Sequence, residues 1–248
     1  MKKIMLIAGC SHASGSEING AEDSRYNRTK SFGNQLAYKM GYEPINIALN
    51  GSANLSIARS VLRWFHEHYD KNTMTVFPLV AWTESIRIEI PGLTNYAYRA
   101  SSKWPDFFDD TSEQFLRINM GYKGSKREEI DVIAYFHEFI ANNNTLLELQ
   151  SLNLVLQLQY FFSMHRLNYL MCNTMHMFTL PNVHLETYLP MLDKTKYMAW
   201  DNNNESFYWK YRKEGYENPK AKYWHHNETP HSLYAEKLYK FIGENQCF

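Results

Sequence analysis

The chain has 248 residues, 44% hydrophobic and 21% charged, an ordinary globular composition with length enough for one large core without disulfide or metal staples. Lys plus Arg and Asp plus Glu both number 26, so the formal net charge is zero; a nucleic-acid binder working through phosphate contacts would carry a basic excess. The three cysteines are odd in number and lack metal-ligand spacing, which fits free thiols in a reducing compartment, and no apolar run reaches the roughly eighteen residues of a membrane span.

The N-terminus has the outline of a lipoprotein signal, with Lys2-Lys3, an apolar run and Cys10. Its apolar core is about six residues, short of the roughly 7–15 that such a signal uses. Residues 3–8 are therefore expected to be a first buried strand in a cytoplasmic protein, followed by the small-residue loop Gly9 to Gly15. A helix is predicted from Ser31 to Met40, with Phe32, Leu36 and Met40 on one side and Gly41 as its stop. Pro44 to Leu49 reads as a second strand, Asn50 to Asn54 as a loop, Ser56 to Tyr69 as a helix, and Met74 to Trp82 as a third strand.

That alternation implies right-handed crossovers in a parallel sheet. Residues 91–127, rich in aromatics and broken by Pro91, Pro105, Gly121 and Gly124, read as an insertion. Helices are expected at 128–141 and 145–165, the second opened by a capping box of Thr145 with Glu148. A fourth strand follows at 168–172, then an irregular second insertion over 181–224, and a closing helix from 232 to 242. The expectation is one α/β domain over 1–248, a three-layer doubly wound parallel sheet. In such a sheet ligands lie outside the carboxyl ends of the strands. Three loops meet that description: Gly9 to Gly15, Asn50 to Asn54, and Trp82 to Arg87.

Those loops carry a resemblance. Gly9-Cys10-Ser11-His12 resembles the Gly-Asp-Ser block of the SGNH (GDSL-type) hydrolases, and Asn50-Gly51-Ser52 is similar to their glycine block. Ala81-Trp82-Thr83-Glu84 stands where they carry Gly-x-Asn-Asp, and the stretch from His225 to Leu238 resembles their last block, a histidine ahead of a helix. The likeness looks nearest to SGNH-like proteins of tailed phages. It implies a flavodoxin-like SGNH fold and a cofactor-free serine esterase acting through an acyl-enzyme. The substrate class would be a small-molecule or glycan ester, with no nucleic acid, membrane or metal involved. By position Ser11 would be the nucleophile, His225 the base, and Gly51 and Thr83 oxyanion donors, with Asn54 as a substitute.

A serine hydroxyl attacks poorly until a base takes its proton, and an imidazole titrates in the right range. The sequence departs from the family at three positions. Cys10 replaces an aspartate, Thr83 an asparagine, and Lys222 the aspartate three residues before the histidine. The orienting acid is therefore expected elsewhere, at Asp201, Glu228 or Glu84. A second register takes Glu228-Thr229-Pro230-His231 as acid and base together; it restores a carboxylate but spoils the helix spacing. A binding protein of the same fold with a silent site is the rival reading. A nucleotide-binding loop ranks lower, because Gly9 to Gly15 lacks the lysine and glycine pattern of a phosphate cradle.

Other groups have bland readings. His225, His226 and His231 lack a fitting acidic or cysteine companion for zinc. Arg87 pairs with Glu89, or steadies Glu84 or an anionic substrate. His66 and His68 belong on the surface. The aromatics between Tyr208 and Trp224 are chiefly core, with sugar stacking at a rim as the alternative.

Overall fold

The computed structural model describes residues 1–91, 115–118, 134–136, 138, 143–216 and 218–247. Five parallel strands make its sheet: β1 (Lys2–Gly9), β2 (Glu43–Asn46), β3 (Met74–Trp82), β6 (Leu170–Asn173) and β7 (Tyr197–Met198). Their order is β2-β1-β3-β6-β7. Counted along the chain this is 2-1-3-4-5, the doubly wound arrangement, with the winding direction changing between β1 and β3. A separate antiparallel ribbon pairs β4 (Ile88–Pro91) with β5 (Phe115–Ile118).

β1 is apolar from Ile4 to Ala8 and buried throughout, as a strand covered on both faces must be. Alternate side chains separate the two faces. Ile4, Leu6 and Ala8 join the cluster of Val61, Trp64, Val155 and Phe162, supplied by the helices α4 and α5 described below. Met5 and Ile7 join Phe32, Leu36, Phe207, Tyr234 and Leu238 on the other side.

In chain order the helices are α1 (Ser11–Ser14), α2 (Arg25–Lys30), α3 (Phe32–Lys39), α4 (Asn54–His68), α5 (Asn144–Met164), α6 (Val183–Glu186), α7 (Phe207–Lys213) and α8 (Glu228–Glu244). Ser24, Ser31 and Asn227 cap α2, α3 and α8, each side chain accepting a backbone N–H of the first turn.

Several expectations change. The loop after β1 begins as the helical turn α1, and α2 was not anticipated. α4 begins at Asn54, so that residue is helical rather than in a loop. The capping box at Thr145 does not form; Glu148 reaches across to Thr179 N (2.9 Å) and Asn182 Nδ2 (2.8 Å) instead. The stretch 181–224 is not all irregular, since it supplies β7 and α7. A two-residue strand leaves no periodicity to detect. The final helix starts at Glu228, four residues early, because Asn227 is its cap. The expected helix 128–141 and most of the insertion at 91–127 lie outside the described residues.

Candidate active site

The register pairs Gly9 with Ala81, so β1 and β3 end level and Ser11 and Thr83 leave the sheet side by side. Gly9 permits that close approach: a Cβ there would lie 2.6 Å from the Ala13 Cβ and 2.8 Å from the Ala81 carbonyl oxygen. The chain therefore turns straight from β1 into α1 with Ser11 as the first helical residue. Its backbone carbonyl is held by Ser14 Oγ and by the Ser16 N–H, each at 2.9 Å. No described residue makes a hydrogen bond with the Ser11 hydroxyl or N–H.

From α1 the chain passes Gly15, whose φ of +77° and contact with the Asn27 carbonyl suit glycine alone, and reaches Glu17. Glu17 is itself left-handed, with φ +61°, and 2% exposed. Holding a non-glycine residue there costs on the order of 1 kcal/mol, which surrounding contacts must offset. They are numerous. Oε1 accepts the Lys222 N–H at 2.8 Å; Oε2 accepts the Tyr223 N–H at 2.9 Å and His225 Nδ1 at 2.6 Å. The Glu17 carbonyl takes Asn218 Nδ2 at 2.8 Å. The loop carrying His225 is thus folded around this one carboxylate.

Burial works against the charge of Glu17, but the hydrogen bonds from His225, Tyr223 and Lys222 outweigh it and hold its pKa below the ordinary carboxylate value. Burial dominates at His225 and lowers its pKa; the Glu17 bond and charge oppose, while Arg87 and His226 add to the lowering. With Nδ1 donating to Glu17, the neutral ring presents Nε2 as an acceptor. His12, next to Ser11, lies with its ring centroid 4.9 Å from that of His225. No hydrogen bond joins Ser11 Oγ to His225 itself.

The carboxylates proposed from sequence are elsewhere. Glu228 binds Lys30 (2.7 Å) and Tyr26 (2.8 Å), Glu84 binds Arg87 (3.1 Å), and Asp201 is exposed. His231 is buried against Phe32 and Phe207, its Nδ1 accepting the Phe32 N–H at 3.2 Å, so the second register does not join it to Glu228. Arg87 pairs with Glu84, not with Glu89, which binds Arg59 at 2.8 Å. His66 is exposed and His68 half-buried.

Asn54 is committed to structure. Its Oδ1 accepts the Thr83 N–H at 3.0 Å, and its Nδ2 donates to Ser151 Oγ (3.0 Å) and the Thr83 carbonyl (3.3 Å). Thr83 is fully buried and its hydroxyl has no partner among the described residues, as is also true of His12 Nδ1. Gly51 has φ +73°, and its N–H meets no acceptor among the described residues.

No family model and no curated protein matches this chain. Solved structures with a similar chain course include a Corynascus thermopiles (Myceliophthora fergusii) carbohydrate esterase family 2 enzyme with its carbohydrate-binding domain, at 14% identity and TM-score 0.45. That match covers 100% of this chain and 67% of that one. The psychrotrophic esterase EstA of a Pseudoalteromonas species matches at 10% identity and TM-score 0.45, over 97% of each chain. A member of the lipolytic G-D-S-L family from Veillonella parvula does so at 11% and 0.44, again over 97% of each. What the site can do follows from its own residues.

Among those described, no three His, Cys, Asp or Glu side chains are grouped so as to hold a metal. No described helix is long and apolar enough to cross a membrane. The three thiols are buried, Cys10 beside Thr174 Oγ1 at 3.3 Å, and burial pushes Cys172 up to about 12, which leaves it inert as a nucleophile. What remains is a hydroxyl at a strand end, an oriented imidazole whose ring lies against that of His12, and two backbone N–H groups without an acceptor among the described residues. Glu17 was missed from sequence because its partner is 208 residues away; the only local sign is a lone acid between two turn glycines, Gly15 and Gly20.

Proposed function

We propose that this protein is a serine ester hydrolase whose nucleophile, base and orienting acid are Ser11, His225 and Glu17. The observation that carries the reading is the 2.6 Å bond from His225 Nδ1 to Glu17, made on the ring that lies against the neighbour of Ser11. The carboxylate fixes the tautomer that leaves Nε2 free and stabilises the imidazolium once it forms. In resting enzymes the contact between nucleophile and base is often not yet made and forms as substrate arrives.

In the first step Ser11 Oγ attacks the ester carbonyl carbon while its proton passes to His225 Nε2. The oxyanion takes the N–H groups of Ser11 and Gly51; each such donor is worth roughly a hundred- to a thousandfold in rate. Collapse breaks the ester C–O bond, and the departing alcohol takes the proton from His225. Water, deprotonated by the same imidazole, then releases the acid and frees Ser11. The substrate is a small-molecule or glycan ester.

A silent, binding-only site is the second reading, favoured by the absence of a Ser11–His225 hydrogen bond and by the engagement of the Asn54 amide in structure. Reaction with a fluorophosphonate probe and turnover of p-nitrophenyl acetate separate the two. We expect labelling and turnover, both lost in Ser11→Ala; no labelling and no Ser11-dependent turnover overturns the esterase.

A further inference from the structure

Beside His225 the surface opens into a cavity of about 380 Å³ bordered by Tyr208, Arg212, Lys222, Trp224, His225 and His226. Ser11 does not border it, so the cavity meets the catalytic group only at the imidazole. Its lining holds one guanidinium, Arg212, and the Lys222 stem, whose ammonium turns to Tyr223, and no carboxylate among the described residues. Arg212 forms no ion pair among them; its guanidinium lies over the rings of Trp224 (4.6 Å), Tyr208 (5.5 Å) and Trp209 (5.7 Å), with one N–H on the Tyr208 hydroxyl. Such stacking fixes the plane of the fork and leaves its remaining N–H groups to a planar anion. Arg212 and Lys222 do not compete for one internal acid, since Lys222 offers its backbone N–H to Glu17 and its ammonium lies over Tyr223.

Trp224 adds a second, independent sign. It is 65% exposed and has φ +70°, an outlier for a bulky residue. An exposed indole held in strain immediately before the base is poorly explained by packing, because it buries little. It is well explained as a platform, one face against Arg212 and the other open to a saturated ring.

From this we infer that the cavity is a subsite for an acidic sugar, which stacks on Trp224 and places its carboxylate on Arg212. Resting on the esterase reading, this makes the substrate an ester of an anionic glycan. The subsite itself exists independently of catalysis.

The test therefore has a binding arm and a turnover arm. Ser11→Ala protein is titrated by calorimetry with an unacetylated oligogalacturonate and with a neutral xylo-oligosaccharide of equal length. We expect the acidic ligand to bind at least about tenfold more tightly, an advantage reduced in Arg212→Gln, partly kept in Arg212→Lys, and weakened by added salt. Melting curves confirm that each variant is folded; were Arg212→Gln not, Arg212→Lys and the salt titration still decide. Equal affinity for the two ligands, or no binding of the acidic one, overturns the subsite. In the second arm wild-type protein is given acetylated polygalacturonate and acetylated xylan, and released acetate is measured. Preference for the acidic polymer supports the inference, and equal rates on both overturn it. Failure on both polymers and on p-nitrophenyl acetate removes the esterase reading, while the calorimetry still judges the subsite.

Discussion

The two faces of the sheet are held by different chemistry. Against α4 and α5 the core is hydrocarbon: Val61, Trp64, Val155, Leu158 and Phe162 close on Ile4, Leu6 and Val80. Against α3, α7 and α8 the aromatic core of Phe32, Phe207 and Tyr234 is interleaved with the imidazoles of His12, His226 and His231. All three are buried, and burial lowers their pKa values along with that of His225. The first face is packed chiefly by hydrocarbon, whereas on the second burial works against the charged forms of the imidazoles. The proposed base, His225, is thereby biased to its neutral form by the same desolvation that makes its surroundings vulnerable to acid.

The largest expected effect lies at Glu17, whose carboxylate holds the His225 loop beside the second face. Glu17→Gln removes the charge that orients His225 while keeping the side-chain size; kcat on p-nitrophenyl acetate should fall by about 10⁴-fold, the loss seen when a triad acid becomes an amide. A rate unchanged within tenfold would detach Glu17 from catalysis. Next comes the hydrocarbon face. Phe162→Ala should destabilise by about 3–5 kcal/mol in urea unfolding, yet leave the pH midpoint of kcat/KM where it was.

The pH response is smaller and sharpens the contrast. Below about 6.5 the unfolded chain takes up protons on histidines that the folded chain keeps neutral, so stability is complete above that pH and declines beneath it. The lowered pKa of Glu17 has the same sign and extends the loss below about 4.5, where the unfolded carboxylate protonates. Unfolding midpoints measured from pH 8 to pH 4 should follow this course, and the acidic limb of kcat/KM should have its midpoint below about 6.5. The smallest effect is Glu228→Gln. It loses only half-exposed partners, so melting temperature and turnover should both hardly move. A large loss there would reopen the second histidine register.

The sheet was legible because β1 and β3 are long apolar runs, and buried parallel strands announce themselves that way. β7 was not, being two residues long and paired only through its neighbour β6. Ser11 and His225 were singled out from the order of short blocks along the chain. Glu17 was invisible for the opposite reason. A carboxylate that reaches its partner through a turn, in a left-handed conformation, belongs to no periodic pattern, and only tertiary proximity reveals it. Thr83 and Asn54 illustrate a further limit: from sequence both were donors in search of an oxyanion, but Asn54 spends its amide fastening β3 to α5.

The arrangement at Glu17 also ties chemistry to mechanics. One carboxylate terminates three N–H bonds, two from the main chain at Lys222 and Tyr223 and one from the imidazole. A single proton added to it would slacken the anchorage of a whole stretch of polypeptide in the same instant as it stripped the base of its counterion. Loss of the proposed activity in acid would accordingly be an unlatching, and its reversal would require that stretch to find its mooring again.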